Sequence, residues 1–172
     1  MLTFSYIDKG RLDDELPALF PILYANMNAI APTGKGYEKD FEEWFSAVRP
    51  ALEKPARNII IIRDEGGLAG FFQYYVNETT FMMEEIQFVP RLWGTGAFEA
   101  LYRHLRQIVP KSVPFVEAYA HRLNVKSQGI LAHLGLEPIA DANNCIRFRG
   151  SLPVLFETIG NSPAKVPEFT VI

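Results

Sequence analysis

"FVPRLWGTGAFEALYRHL", Phe88 to Leu105, passes from an apolar, strand-like segment into a helical pattern across Gly94-Thr95-Gly96. Beyond the glycines, Ala97, Leu101, Leu105 and Ile108 recur on one helical face, which Pro110 ends. A helix start carries four backbone N–H groups without intrahelical partners and the positive end of the helix dipole, so it attracts phosphate oxygens. Glycine at 94 and 96 keeps side chains out of the path of an approaching ligand. A phosphate seat and a ligand-free turn both satisfy this stretch taken alone. Its neighbours decide between them.

Upstream, Asn58–Ile62, Leu68–Val76 and Thr80–Val89 read as three strands rich in Ile, Phe and Tyr. The links Asp64-Glu65-Gly66-Gly67 and Asn77-Glu78-Thr79 are too short for anything but antiparallel neighbours. Downstream, Val113–His121 is predicted as a strand reached by a crossover long enough for a parallel pair. Asn124 opens a helix carrying Ile130, Leu131 and Leu134, Gly135 suits its C-terminal cap, and Cys145–Phe148 reads as a last strand. At the N-terminus, Leu2–Ile7 suits a short strand. Leu12, Leu16, Leu19, Leu23, Met27 and Ile30 then predict a helix with a kink or restart at Pro21. Phe41, Trp44, Phe45 and Val48 predict a second helix, ended by Arg49-Pro50. Between these helices Gly34-Lys35-Gly36 lacks the glycine frame of a phosphate loop and reads as a loop bordering a substrate pocket. Residues 1–150 are expected to form one domain. Residues 151–172 are an extension that the pattern does not place, with room for a homodimer contact.

Composition removes several classes of function. Lys+Arg 17 against Asp+Glu 20 gives −3 with no clustered basic run, so a nucleic-acid partner is not expected. The lone Cys145 and the scattered His104, His121 and His133 offer no zinc spacing, so no metal is expected. The start lacks signal-peptide character, and the apolar stretch from Leu16 to Ala31 is broken by Pro17, Pro21, Asn26 and Asn28. A cytoplasmic protein without a membrane partner is the expectation. A dinucleotide-binding frame starting at Gly94 would need its last glycine at Glu99, and Glu117, at a tempting distance, falls within a strand.

In order, the pattern is antiparallel strands, Gly-x-Gly, helix, strand, Asn, helix, Gly. It resembles the GCN5-related N-acetyltransferase (GNAT) superfamily, whose strand-and-loop signature runs loosely L-x-V-x-P-x-x-R-G-x-G-x-G. This chain has Ile86-Gln87-Phe88-Val89-Pro90-Arg91-Leu92-Trp93-Gly94-Thr95-Gly96-Ala97-Phe98. A second signature falls at Asn124, Ser127, Leu131, Gly135 and Leu136, and the likeness covers about Arg57 to Arg149. The resemblance implies an α+β (α/β) acyl-CoA acyltransferase fold. Its central sheet would be mostly antiparallel with one splayed parallel strand pair, flanked by helices. It also implies acetyl-CoA as co-substrate, with the pyrophosphate on the amides of Gly94, Thr95, Gly96, Ala97 and Phe98. Pantetheine would run beside Phe88 and Val89, and Asn124 would touch its arm. Three positions depart from the family pattern. Trp93 replaces an Arg or Gln, with Arg91 as the substitute cation; Phe98 replaces a small residue; Leu131 replaces the tyrosine that protonates the leaving thiolate.

Acylating an amine requires the neutral form and a group to take its proton. Glu84 and Glu85 match by spacing an acidic pair of polyamine-type relatives. That likeness implies Glu84 as base and Glu85 as an amine-binding or structural residue. Strand alternation sends the two to opposite faces. Tyr119 is the replacement candidate for the missing acid, although a coenzyme A thiolate, with a thiol pKa of about 8.5, leaves unaided as well. Backbone N–H groups near Phe88 suit the developing oxyanion. The aromatics Phe41, Trp44, Phe71, Phe72, Tyr74, Tyr75 and Phe81 favour an apolar acceptor if any line its pocket. The leading expectation is direct acetyl transfer from acetyl-CoA to a small-molecule or protein primary amine. The alternative is a non-catalytic acyl-CoA sensor or docking domain.

Overall fold

A computed structural model describes residues 1–161. The part of the extension beyond them lies outside the described residues. Seven strands form one sheet in the order β1-β2-β3-β4-β5-β7-β6. The strands are β1 (Thr3–Tyr6), β2 (Arg57–Asp64), β3 (Gly67–Val76), β4 (Thr80–Phe88), β5 (Phe115–His121), β6 (Glu137–Ala142) and β7 (Cys145–Ser151). Helices α1 (Leu12–Ile30) and α2 (Tyr37–Leu52) precede β2; α3 (Ala97–Ile108) and α4 (Val125–His133) flank β5; α5 (Leu152–Asn161) follows β7. All pairings are antiparallel except β4 with β5.

Two apolar clusters lie on opposite faces of the sheet. Ile59, Ile61 and Phe71 pack under α1 and α2 with Leu16, Leu19, Phe20 and Leu52. Ile60, Ile62, Phe72, Met83, Ile86 and Phe88 face the other way, onto Leu101, Leu105, Ile130 and Leu155 of α3, α4 and α5. The unbroken run Ile59-Ile60-Ile61-Ile62 is therefore a central strand buried on both sides, at 0 to 2% exposure.

Helix α1 runs through Pro17 and Pro21 without a restart. Both prolines sit on its exposed side, while Leu12, Leu16, Leu19, Phe20 and Leu23 pin the opposite side to the sheet. Similarly α2 continues past Pro50 to Leu52, whose side chain is fully buried. Strand β6, absent from the sequence-based expectation, forms a hairpin with β7 across Asn143 and Asn144, both at positive φ (51° and 63°). The placed part of the extension, α5, closes the second core with Leu152, Leu155 and Ile159. No helix among the described residues is long and apolar enough to cross a membrane.

The close approach of β3 to β4 depends on Gly70, which stands opposite Phe88. A β-carbon there would collide with the Gln87 backbone carbonyl and press on the Phe88 ring. Gly70→Ala is expected to lower the urea-unfolding free energy by about 1–3 kcal/mol through overpacking; an unchanged midpoint would show that β4 yields freely.

Candidate active site

Strands β4 and β5 pair in parallel from Thr80↔Phe115 to Met83↔Ala118 and no further, although β4 continues to Phe88 and β5 to His121. The split begins at a β-bulge. On β3, Gln73 pairs with Glu85 and the next residue, Tyr74, pairs with Met83, leaving Glu84 as the inserted residue. A bulge bends its strand and sharpens its twist, which carries the far half of β4 away from β5.

The same insertion corrects the alternation expected for the acidic pair. Glu85 faces the α1/α2 side with its partner Gln73, and Glu84 faces that side too. The Glu84 carboxylate accepts from Arg57 Nε (2.7 Å), Arg57 Nη2 (2.5 Å) and Gln73 Nε2 (3.0 Å). Both its oxygens are held in a part-buried guanidinium fork. Glu85 has no such cation. Its Oε1 accepts from Gln87 Nε2 at 2.6 Å, and Gln87 Oε1 accepts from Asn26 Nδ2 at 2.7 Å. Asn26 Nδ2 also donates to the Phe88 carbonyl (3.0 Å). Gln87 and Asn26 are buried, at 0% and 4% exposure, so this run of bonds fixes the carboxylate against β4. Burial raises Glu85 to about 7; the Gln87 bond opposes the rise and the nearby Glu84 charge adds to it.

Two cavities share Glu85 in their linings. One threads the strand split and is lined by residues from both faces of β4, Met83 and Ile86 on one side and Glu84 and Glu85 on the other. Phe98, Tyr102, Tyr119 and Leu131 also line it. Phe98 packs on Tyr102 with the rings tilted by 34° and centroids 4.3 Å apart, and both line this cavity. The second cavity, about 400 Å³, lies between α1 and α2 and has Glu85 in its lining.

Along the exposed edge of β4, Val89 N–H donates to Ala69 O at 2.9 Å, toward β3. Alternation therefore turns the N–H groups of Ile86 and Phe88 to the edge that β5 vacates. The Phe88 carbonyl on that edge accepts from Trp93 Nε1 at 3.3 Å, as well as from Asn26. Trp93 thus braces the loop against the strand. In the loop, Gly94 (φ 70°) and Gly96 (φ 81°) adopt left-handed backbone, and no side chain caps α3 at Gly96. The N–H of Thr95 is turned inward to Leu92 O and the Trp93 N–H to Pro90 O.

Arg91 is drawn elsewhere. Its Nε and Nη2 bond Asp64 at 3.0 and 2.9 Å, and Nη2 also reaches Leu68 O. The guanidinium therefore ties the loop to the β2–β3 turn. Glu99 in the first turn of α3 places Oε2 3.7 Å from where a Gly96 β-carbon would stand. Asn124, 3% exposed, caps α4 by accepting from Ser127 N at 3.0 Å. Tyr119 is half exposed on the α1/α2 side of β5, beside the buried Glu117 that Arg147 holds in an ion pair. Gln87, Asn26 and Tyr102 complete the site, and the sequence reading missed all three.

No family model and no curated protein matches this sequence. Solved structures do. The PaiA N-acetyltransferase of Thermoplasma acidophilum, in complex with coenzyme A, superposes with TM-score 0.66 at 10% identity, over 88% of this chain and 99% of that one. An acetyltransferase of Thermus thermophilus gives 0.67 at 11% identity, over 88% and 97%. A variant of the spermidine N-acetyltransferase of Vibrio cholerae gives 0.59 at 15%, over 93% and 96%. The chain has the GNAT fold. The mixed sheet, the single parallel pair and its splay are those of GNAT proteins, as the paired signatures at Phe88–Phe98 and Asn124–Leu136 imply.

The residues present fit the acyl-coenzyme A that the GNAT fold implies. They supply uncapped amides at a glycine-flanked helix start, a strand edge with outward N–H groups, and a cavity through the sheet. Among the described residues no His, Cys, Asp and Glu cluster has metal-binding geometry.

The raised Glu85 makes folding depend on pH. Its folded value (about 7) lies above the ordinary 4.5, so the folded state binds the proton more tightly. The resulting stabilisation is full below about pH 4.5 and is lost as pH rises through about 7. Glu85→Gln is therefore expected to gain stability relative to wild type at about pH 8.5 but not at about pH 4. Urea unfolding at both pH values checks this; equal differences would show that Glu85 ionises at its ordinary value.

Proposed function

We propose that the protein is an acetyl-CoA-dependent N-acetyltransferase acting on a primary amine, with Glu85 as general base. One observation carries the assignment: Glu85 lines both the cavity through the strand split and the cavity between α1 and α2. A proton acceptor is needed where thioester and amine meet, and a carboxylate shared by both cavities suits that task. A base titrating near 7 is half ionised at neutral pH and still retains a proton-accepting drive.

The amides of Gly94, Gly96, Ala97 and Phe98 would hold the pyrophosphate, and the edge of β4 at Ile86 and Phe88 would pair with the pantetheine arm, since the Val89 N–H is given to Ala69 O on β3. When bound, the co-substrate supplies an activated acetyl group on sulfur. The chain does the rest. Gln87 and Asn26 hold the Glu85 carboxylate in place, and Glu85 takes the proton from the incoming amine. The N–H of Ile86 or Phe88 faces the oxygen on which negative charge grows. Tyr119 is the candidate donor to the departing sulfur. Glu84, assigned as base on spacing, becomes a structural partner of Arg57 in this reading, because three donors already occupy its oxygens. The exchange of roles follows from the bulge.

A second reading, an acyl-CoA sensor without turnover, draws support from the engagement of Arg91 by Asp64 and from Leu131 at the tyrosine position. Glu85→Gln separates the two. In a thiol-release assay the acetylation reading predicts a loss in kcat of about 10²-fold or more with acetyl-CoA affinity retained. Wild-type kcat/KM should fall below about pH 7 as Glu85 takes up its proton. Gln87→Leu, which removes the bond that lowers Glu85, should move that limb to higher pH. Undiminished turnover in Glu85→Gln would remove this residue from the chemistry.

A further inference from the structure

The cavity between α1 and α2 has a composition that selects among amines, and its use as an acceptor site rests on the function proposed above. Its walls are Phe20, Tyr24, Met27 and Trp44. The aromatic rings brace one another, with Phe20 centroids 5.8 Å from Tyr24 and 5.3 Å from Trp44. Among the described residues the charged groups in the lining are acids: Glu85 toward the strand split, and Asp40 and Glu43 on α2. Asp40 is held by the Thr33 hydroxyl at 2.7 Å, and Glu43 by Lys35 at 2.7 Å. These bonds fix the loop that borders the cavity.

We infer that this cavity is the acceptor pocket for a small monoamine with an aromatic or bulky apolar body, its nitrogen directed at Glu85. Three exclusions lead to that class. An acceptor carrying a carboxylate, such as a free amino acid, meets Glu85 and Asp40, and the cation beside the cavity, Lys35, is already paired with Glu43. A polyamine would have to place its second ammonium on acids that are already engaged, Asp40 by the Thr33 hydroxyl and Glu43 by Lys35. A lysine side chain offers only a thin methylene stem, too little surface for a cavity of about 400 Å³ walled by rings. An apolar body fills those walls, and Glu85 is the acid of the lining left for the amine head.

Thiol release from acetyl-CoA, measured with 2-phenylethylamine, spermidine, alanine and a lysine-containing peptide, tests the class. The aromatic monoamine should show kcat/KM at least about tenfold above each of the others, in line with several buried methylene-sized contacts. Calorimetry without acetyl-CoA should show it binding alone. Asn28 also lines the cavity and is exposed, so Asn28→Lys should fold normally and place a repelling cation there. It should raise KM for 2-phenylethylamine about fivefold or more with kcat little changed. Preference for spermidine, alanine or the peptide, or an unaltered KM in Asn28→Lys, would overturn the acceptor class while leaving acetyl transfer intact. If acetyl-CoA shows neither binding heat nor turnover with any amine, the proposed function itself fails, and this inference with it.

Discussion

Between Met83 and Glu85 strand β4 advances two residues while β3 advances only from Tyr74 to Gln73. The inserted Glu84 cannot be absorbed by a regular ladder, so the strand bends, and the parallel pairing with β5 stops one residue earlier, at Met83↔Ala118. The candidate site is arranged around that divergence. It frees the far edge of β4, leaves a cavity lined by residues from both faces of the strand, and turns Glu84 and Glu85 to the same side. The bulge is held in place by the bonds that Glu84 receives from Arg57 on β2 and Gln73 on β3.

With both carboxylates on one face, their surroundings separate them. Glu84 lies in a fork of donors; Glu85 lies against buried groups with one amide bond and no cation. Such a pair, pushed apart by environment, is how neighbouring acids take different tasks. The buried run from Glu85 through Gln87 and Asn26 to the Phe88 carbonyl also ties the carboxylate to the strand edge beside the cofactor loop. Trp93 bonds that same carbonyl, so loop, strand and carboxylate are braced as one unit. In the proposed reaction this geometry replaces some of the precision that a charged loop residue would give.

Much of the architecture was readable because it rests on local patterns. The four isoleucines at 59–62, the short turns between the strands and the Gly94-Thr95-Gly96 junction all announce themselves within a few residues. Asn124 as an N-cap is of the same kind. The shared face of Glu84 and Glu85 was not readable, because alternation presumes a regular register and a bulge is defined by the partner strand. The Asn26–Gln87 bond joins residues 61 positions apart, and the Arg91–Asp64 pair spans 27; neither leaves a local trace. Strand β6 was missed for a different reason. Its side chains are nearly all exposed, so no apolar alternation marks it, although the Asn143-Asn144 turn was a usable hairpin signal. The prolines in α1 and at Pro50 misled because burial of the opposite helix face outweighs the bonds lost on the solvent side.

What distinguishes this loop is that it offers an anion only backbone, with the Arg91 guanidinium held by Asp64. The most direct measurement is therefore a titration of the ¹⁵N-labelled protein with coenzyme A, followed amide by amide. Saturable shifts should concentrate at Gly94, Gly96, Ala97 and Phe98 and along Ile86 to Val89, on both sides of the strand split. Shifts that leave these amides untouched, or none at all, would contradict a cofactor site built from the opened edge of β4.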